Sequence, residues 1–153
     1  MSEKKCFCIG HRDACMSEID GLDREILRHI EEYAVTEFIV GNYGNFDGLV
    51  AAAVLRAKKK HPWVRLTLLL PYHPGERRTE LPPGFDGSLY PDGMETVPRR
   101  LAIIRANRRA VDMSQHMIAF VWHPASNSRE ILAYARAREK KGSIRVCVLS
   151  RRT

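Results

Sequence analysis

Phe38-Ile-Val-Gly41-Asn-Tyr-Gly44-Asn-Phe-Asp47-Gly48-Leu-Val-Ala-Ala-Ala-Val-Leu55 decides how this chain folds. A short β-branched and aromatic run stops at glycine and crosses a loop of Gly, Asn and Asp. It then enters an apolar segment whose Phe46, Leu49, Val50, Ala53, Val54 and Ala57 recur at helical spacing. Strand, tight loop and helix in that order is how an α/β protein presents backbone N–H groups to a phosphate or carboxylate. Gly41 and Gly44 allow backbone geometry or close approach that a side chain would obstruct. Asn42 and Asn45 tolerate left-handed geometry and offer amides. Asp47 either caps the helix or accepts from a ligand hydroxyl or base. The loop matches neither a P-loop nor a GxGxxG motif, so it is a candidate site rather than a signature.

The same alternation continues on both sides. Lys5 to Ile9 reads as a first strand ended by Gly10-His11-Arg12-Asp13. Ser17 and Asp20 resemble a capping box, and Ile19, Leu22, Ile26, Ile30 and Tyr33 follow at helical spacing. Glu37 to Val40 is a second strand, and Arg65 to Leu70 is a third, apolar throughout as a strand covered on both faces requires. Arg99 to Asp112 is predicted helical, with Leu101, Ile104 and Val111 inward. Met117 to Trp122 is a fourth strand, and Ser128 or Asn127 can cap the helix after it. Arg145 to Leu149 is a fifth. This pattern predicts one α/β domain over residues 1–153, a Rossmann-like, mostly parallel five-stranded sheet with helices on both faces.

Residues 71–98 interrupt the alternation with a proline- and glycine-rich stretch after the third strand. Connections longer than about 12–15 residues are commonly functional or disordered. The aromatic content, Tyr72, His73, Phe85 and Tyr90, favours an ordered flap near a site; disorder between Gly75 and Ser88 is the alternative.

Of 153 residues, 44% are hydrophobic and 28% charged, and no run approaches a membrane span. With no apolar leader at the amino terminus, a cytoplasmic protein without membrane partners is the expectation. The net charge of +7 implies attraction to anions. The excess lies at Lys58 to Lys60, between Arg99 and Arg109, and at Arg136 to Lys141, where solvated helix faces are the ordinary explanation. Cys6, Cys8, Cys15 and Cys147 do not have the spacing of a zinc site, and buried thiols explain them more simply. No metal or cofactor is expected.

In an open parallel sheet ligands bind beyond the carboxyl ends of the strands. Three loops qualify, at Gly10 to Asp13, Gly41 to Asp47 and Trp122 to Ser128. Arg12 suits bidentate pairing with phosphate, and His11 either donates to it or pins the neighbouring loop. Nothing forms a Ser-His-Asp or Cys-His set. Glu130 is the one acid well placed beside a candidate phosphate loop.

Gly10-His11-Arg12, Val40-Gly-Asn-Tyr-Gly-Asn-Phe-Asp47, Tyr90-Pro-Asp-Gly-Met-Glu-Thr-Val-Pro98, and Asn107 with Val111 and Ser114 together resemble the SLOG superfamily, nearly end to end. More narrowly the chain is similar to its small stand-alone bacterial members; DNA-processing protein A and the LONELY GUY phosphoribohydrolases are other branches. The resemblance implies a nucleotide or nucleotide-derived ligand at the strand ends and a homo-oligomer. On it, Gly10, His11, Arg12, Gly41, Asn42, Tyr43, Gly44, Asn45, Phe46 and Asp47 are candidate contacts, covered by Tyr72 and Tyr90. Asn107 stands where the family has an Arg-Asn pair, here Ala106-Asn107. Ser126-Asn127-Ser128 replaces the usual Gly-Gly and small residue, so side chains stand where backbone would approach a phosphate. The phosphoribohydrolase signature is not reproduced. A sensor or regulatory binding domain is therefore the leading expectation. A nucleotide N-glycosidic hydrolase using Asp47 or Glu130 is the alternative, and single-stranded nucleic-acid binding through the arginine-rich helix is the third.

Overall fold

The computed structural model describes residues 3–75, 80–123 and 127–152. Among the described residues there are eight strands: β1 Lys5–Gly10, β2 Ile19–Asp20, β3 Glu37–Val40, β4 Arg65–Leu69, β5 Gly87–Leu89, β6 His116–Phe120, β7 Arg145–Val148 and β8 Ser150–Arg151. Four α-helices accompany them: α1 Leu22–Glu31, α2 Asn45–Lys58, α3 Ala102–Met113 and α4 Asn127–Lys140. Six strands form one parallel sheet in the order β5-β4-β3-β1-β6-β7, and β2 pairs antiparallel with β8 as a separate two-residue ribbon. This is a Rossmann-like α/β fold.

Strand alternation divides the core into two layers. Cys6, Cys8, Phe38, Val40, Ile118 and Phe120 point to the side where α1 and α2 pack through Leu22, Ile26, Phe46, Val50 and Val54. Phe7, Ile39, Met117 and Ala119 point to the other, against Ala102, Ala106 and Ala110 of α3 and Ile131 and Ala135 of α4. Both faces of the central strands are therefore buried, which is why they read as continuous apolar runs. Cys6 and Cys8 share a face with their sulfurs 4.0 Å apart, and all four cysteines are free.

Three expectations are corrected. The sheet has six strands rather than five, because Gly87–Leu89 inside the long connection joins the edge beside β4. Its place is fixed by tertiary bonds: Asp86 N–H donates to Leu66 O (2.8 Å), Leu70 N–H to Leu89 O (2.8 Å), and the Asp86 carboxylate accepts from Leu66 N–H and pairs with Lys58. The connection is thus partly sheet; its residues 76–79 lie outside the described residues. The first helix begins at Leu22, not near Ser17. Glu18 instead accepts from Cys15 N–H (3.1 Å) across a short 3-10 turn, Ile19 enters the ribbon with Arg151, and Gly21 takes a left-handed φ of 80° to start α1. In α3 Val111 is buried as expected, but the rest of the inward face is built of alanines and Asn107, Ile104 is half-buried, and Leu101 precedes the helix and is exposed. Small residues let this helix lie close on the sheet.

The edge opposite the strand carboxyl ends holds a buried aromatic group. His116, the first residue of β6, stacks on Tyr33 with ring centroids 5.2 Å apart and meets His29 edge-on at 5.5 Å. The Arg145 guanidinium lies 4.5 Å from the centre of the Tyr33 ring. His29 Nδ1 is 2.7 Å from Glu25 O, whereas His29 Nε2 and His116 Nδ1 are buried without hydrogen-bond partners among the described residues. Burial, then mutual proximity, pushes the His116 pKa from 6.5 down to about 4, and burial lowers that of His29. Among the described residues no helix is long and apolar enough to cross a membrane.

Candidate functional site

The strand order reverses direction about β1, since the chain builds β3, β4 and β5 on one side and then crosses to β6 and β7 on the other. Outside the carboxyl ends at such a point the flanking connections diverge and leave a crevice. Here it is a cavity of about 380 Å³. Its walls include Gly10, His11, Arg12 and Asp13 after β1, Gly41, Tyr43, Gly44 and Asp47 after β3, and Asn107 of α3. His123 after β6, and Asn127 and Ser128 at the start of α4, complete it.

The two glycine-bearing loops interlock. Arg12 Nε donates to Tyr43 O (3.1 Å), and Asn45 N–H donates to Arg12 O (2.8 Å). Gly44 is extended, with φ −170°, so its need for glycine is spatial: a Cβ there would stand 2.5 Å from Arg12 Cα. A Cβ at Gly10 would fall 2.4 Å from Phe46 Cγ. Phe46 is accordingly a core residue beneath Gly10, stacked with Phe120 at 6.1 Å, rather than a wall of the cavity.

Asp47 sits in the first turn of α2 and accepts from Tyr43 N–H through Oδ2 (3.1 Å), bracing the loop. It also lines the cavity. Burial raises its pKa from 3.8 to about 6, against the opposing pull of the Tyr43 N–H and the Arg12 charge. A carboxyl of that kind exchanges a proton near neutral pH.

His11 is buried, and its Nε2 accepts from Trp122 N–H (2.9 Å) and His123 N–H (3.3 Å). That acceptor role fixes the neutral tautomer with the proton on Nδ1. Burial and the stacked His123 ring, 4.7 Å away, lower its pKa and keep it neutral. His11 therefore ties the first loop to the loop after β6. Ser128 makes a second tie, its Oγ donating to Gly10 O (3.1 Å). Ser128→Ala should lose about 1 kcal/mol of stability, read as a lower urea midpoint at unchanged slope.

Asn107 is 8% exposed and lines the cavity, and its side chain makes no hydrogen bond among the described residues. Its amide atoms are not fully enclosed by protein, so they open onto the cavity and can meet a ligand there. No family model matches this chain, and a search of curated proteins finds no match. The amino-terminal end of α4 reaches the cavity through Asn127 and Ser128, bringing the positive end of a helix dipole to it. Among the described residues no cluster of His, Cys, Asp or Glu could hold a metal ion.

Ten sequence-derived candidates meet on this cavity: Gly10, His11, Arg12, Gly41, Tyr43, Gly44, Asp47, Asn107, Asn127 and Ser128. Asn42 on the loop and Asn45 at the start of α2 are exposed and do not line it. Tyr72 and Tyr90 line a second cavity instead, because they follow β4 and β5 rather than the central strands. Ser126 lies outside the described residues. Glu130 is exposed and faces neither cavity. Asp13 and His123 line the cavity from within the loops marked out at Gly10 to Asp13 and Trp122 to Ser128, though the sequence reading singles out neither as a contact; Phe7, Cys8, Ile9 and Ile103 line it without having been anticipated, since apolar strand and helix positions give no signal of a site.

Proposed function

We propose that the chain binds a nucleotide or nucleotide-derived small molecule in the larger cavity, as a sensor or regulatory domain. The observation that carries this reading is Asn107, a buried amide left to the cavity beside the amino-terminal end of α4. An anionic group there is favoured by the helix dipole, and an amide supplies directional donors and an acceptor. Gly41 and Gly44 let the Tyr43 ring and Arg12 pack against the loop and shape the cavity wall, and Asp47 is suited to accept from ribose hydroxyls. The net charge of +7 favours encounter with such anions. The resemblance to the SLOG superfamily agrees with this reading but rests on the sequence motifs alone.

Thermal unfolding with a panel of nucleoside mono- and diphosphates and ADP-ribose tests it. At least one compound should raise the melting temperature of the wild type, and Asn107→Leu should remove most of that shift while folding normally. A flat response across the panel overturns the reading.

Asp47 also favours a second reading, an N-glycosidic hydrolase in which this carboxyl handles the proton of the departing base or of the attacking water. Release of free base from a nucleoside monophosphate, lost in Asp47→Asn, is its required result.

A further inference from the structure

The second cavity, of about 300 Å³, is lined by Pro71 and Tyr72 after β4, Tyr90 after β5, and Glu95, Val97 and Arg99 ahead of α3, with His73, Met94 and Ala102 beside them. Its character differs from that of the first. Two phenol rings and an imidazole meet there: His73 stands edge-on to Tyr90 at 5.3 Å, and the Arg99 guanidinium lies 5.1 Å over Tyr72. Met94 forms a buried thioether floor. Such walls suit a flat ring, since aromatic faces, a guanidinium and sulfur all pack against π surfaces. Glu95 is exposed at the rim and offers acceptors only.

The two cavities adjoin. β3 and β4 are hydrogen-bonded neighbours with Val40 opposite Leu68, so Gly41 follows one strand spacing, roughly 5 Å, from the end of β4 at Leu69, and Pro71 continues two residues beyond it. They also share one helical segment. Arg99 and Ala102 line the second cavity, while Ile103 and Asn107 line the first. Arg99 belongs to the 3-10 turn that leads into α3, and within α3 Ala102 and Ile103 are consecutive, so at about 100° per residue they turn adjacent faces to the two cavities.

We infer that the smaller cavity receives the heteroaromatic base of a nucleotide whose phosphate and ribose occupy the larger one, and that Glu95 selects a base carrying an exocyclic amine. This rests on the reading of the larger cavity as a nucleotide site. One ligand then runs along the carboxyl edge of the sheet, with its anion at α4 and its ring between Tyr72 and Tyr90.

Calorimetric titration of the full chain with ribose 5-phosphate, inosine 5′-monophosphate and adenosine 5′-monophosphate separates the two claims. The wild type should bind the adenine nucleotide about tenfold or more tighter than ribose 5-phosphate, as base stacking on an aromatic side chain allows. The inosine nucleotide should fall between them. Tyr90→Leu should bring the nucleotide affinities down to that of ribose 5-phosphate without changing the latter, which doubles as the check on folding. Glu95→Gln, at an exposed position, should erase only the preference for adenine over hypoxanthine. If all three bind and Tyr90→Leu leaves their ratios unchanged, the base lies elsewhere and this inference is overturned while the larger site stands. If Tyr90→Leu acts and Glu95→Gln does not, the selection by Glu95 is overturned. If none of the three binds the wild type, the nucleotide reading fails for these compounds and the inference falls with it.

Discussion

Asp47→Asn should stabilise the chain at pH 7 by on the order of 1–3 kcal/mol and have little effect near pH 4. The carboxyl ionises at about 3.8 when free, whereas in the fold burial holds its proton up to about 6. The native state therefore binds more protons than the unfolded state between those values, and its stability falls as pH rises through them. Above pH 6 the loss is complete, because the charge is then carried in a half-buried place. Asparagine never ionises and still offers an oxygen to the Tyr43 N–H. Urea unfolding at four pH values from 4 to 7 measures the difference. A variant less stable than the wild type at every pH would mean that Arg12 and the Tyr43 N–H outweigh burial. A ligand that donates hydroxyls to this carboxylate would recover part of the same energy on binding, linking the strain of an unfilled site to its affinity.

His116→Phe should remove an acid sensitivity of about 2–3 kcal/mol between pH 6.5 and 4. The sign here is opposite to that of Asp47. The imidazole protonates near 6.5 when free but only near 4 in the fold, so the stabilisation is present above pH 6.5 and drains away as pH falls toward 4. His29, Lys4 and Arg145 add positive charge nearby, and Glu25 answers it only through His29. Phenylalanine keeps a ring against Tyr33 without the buried unpartnered nitrogen. The wild type sums two opposed slopes and should vary little across this range. Asp47→Asn should unmask the loss toward acid pH, and His116→Phe should unmask the loss toward neutral pH. Parallel curves for all three proteins would contradict both assignments.

The parts of this fold that are legible in the sequence are those dictated by local pattern. From Phe38 to Leu55 the spacing of apolar residues changes from strand to helix across a glycine loop, and the structure follows it. Gly87-Ser-Leu89 has no such pattern: it contains no β-branched residue, and it becomes a strand because Leu66, Leu70 and Lys58 hold its ends. Ile19 fits a helical face as well as a strand, and the choice was made by Arg151 at the far end of the chain. The site behaves likewise. Its glycine loops are readable one by one, but the pairing of Gly10 with Phe120 is what carries His123 to His11. The same strand order sends Tyr72 and Tyr90 to a neighbouring cavity, a separation that spacing along the chain does not encode.

The meeting of Arg12 with Gly44 has a consequence for how this surface can change over generations. The backbone of one loop rests where a side chain of the other would be, and the two exchange hydrogen bonds in both directions. Neither loop can be lengthened, remodelled or transplanted alone. Drift at position 44 should be tolerated only with a compensating shift around position 12, so the pair is inherited as one unit, and ligand preference should diversify through the walls contributed by α3 and by the loop after β6.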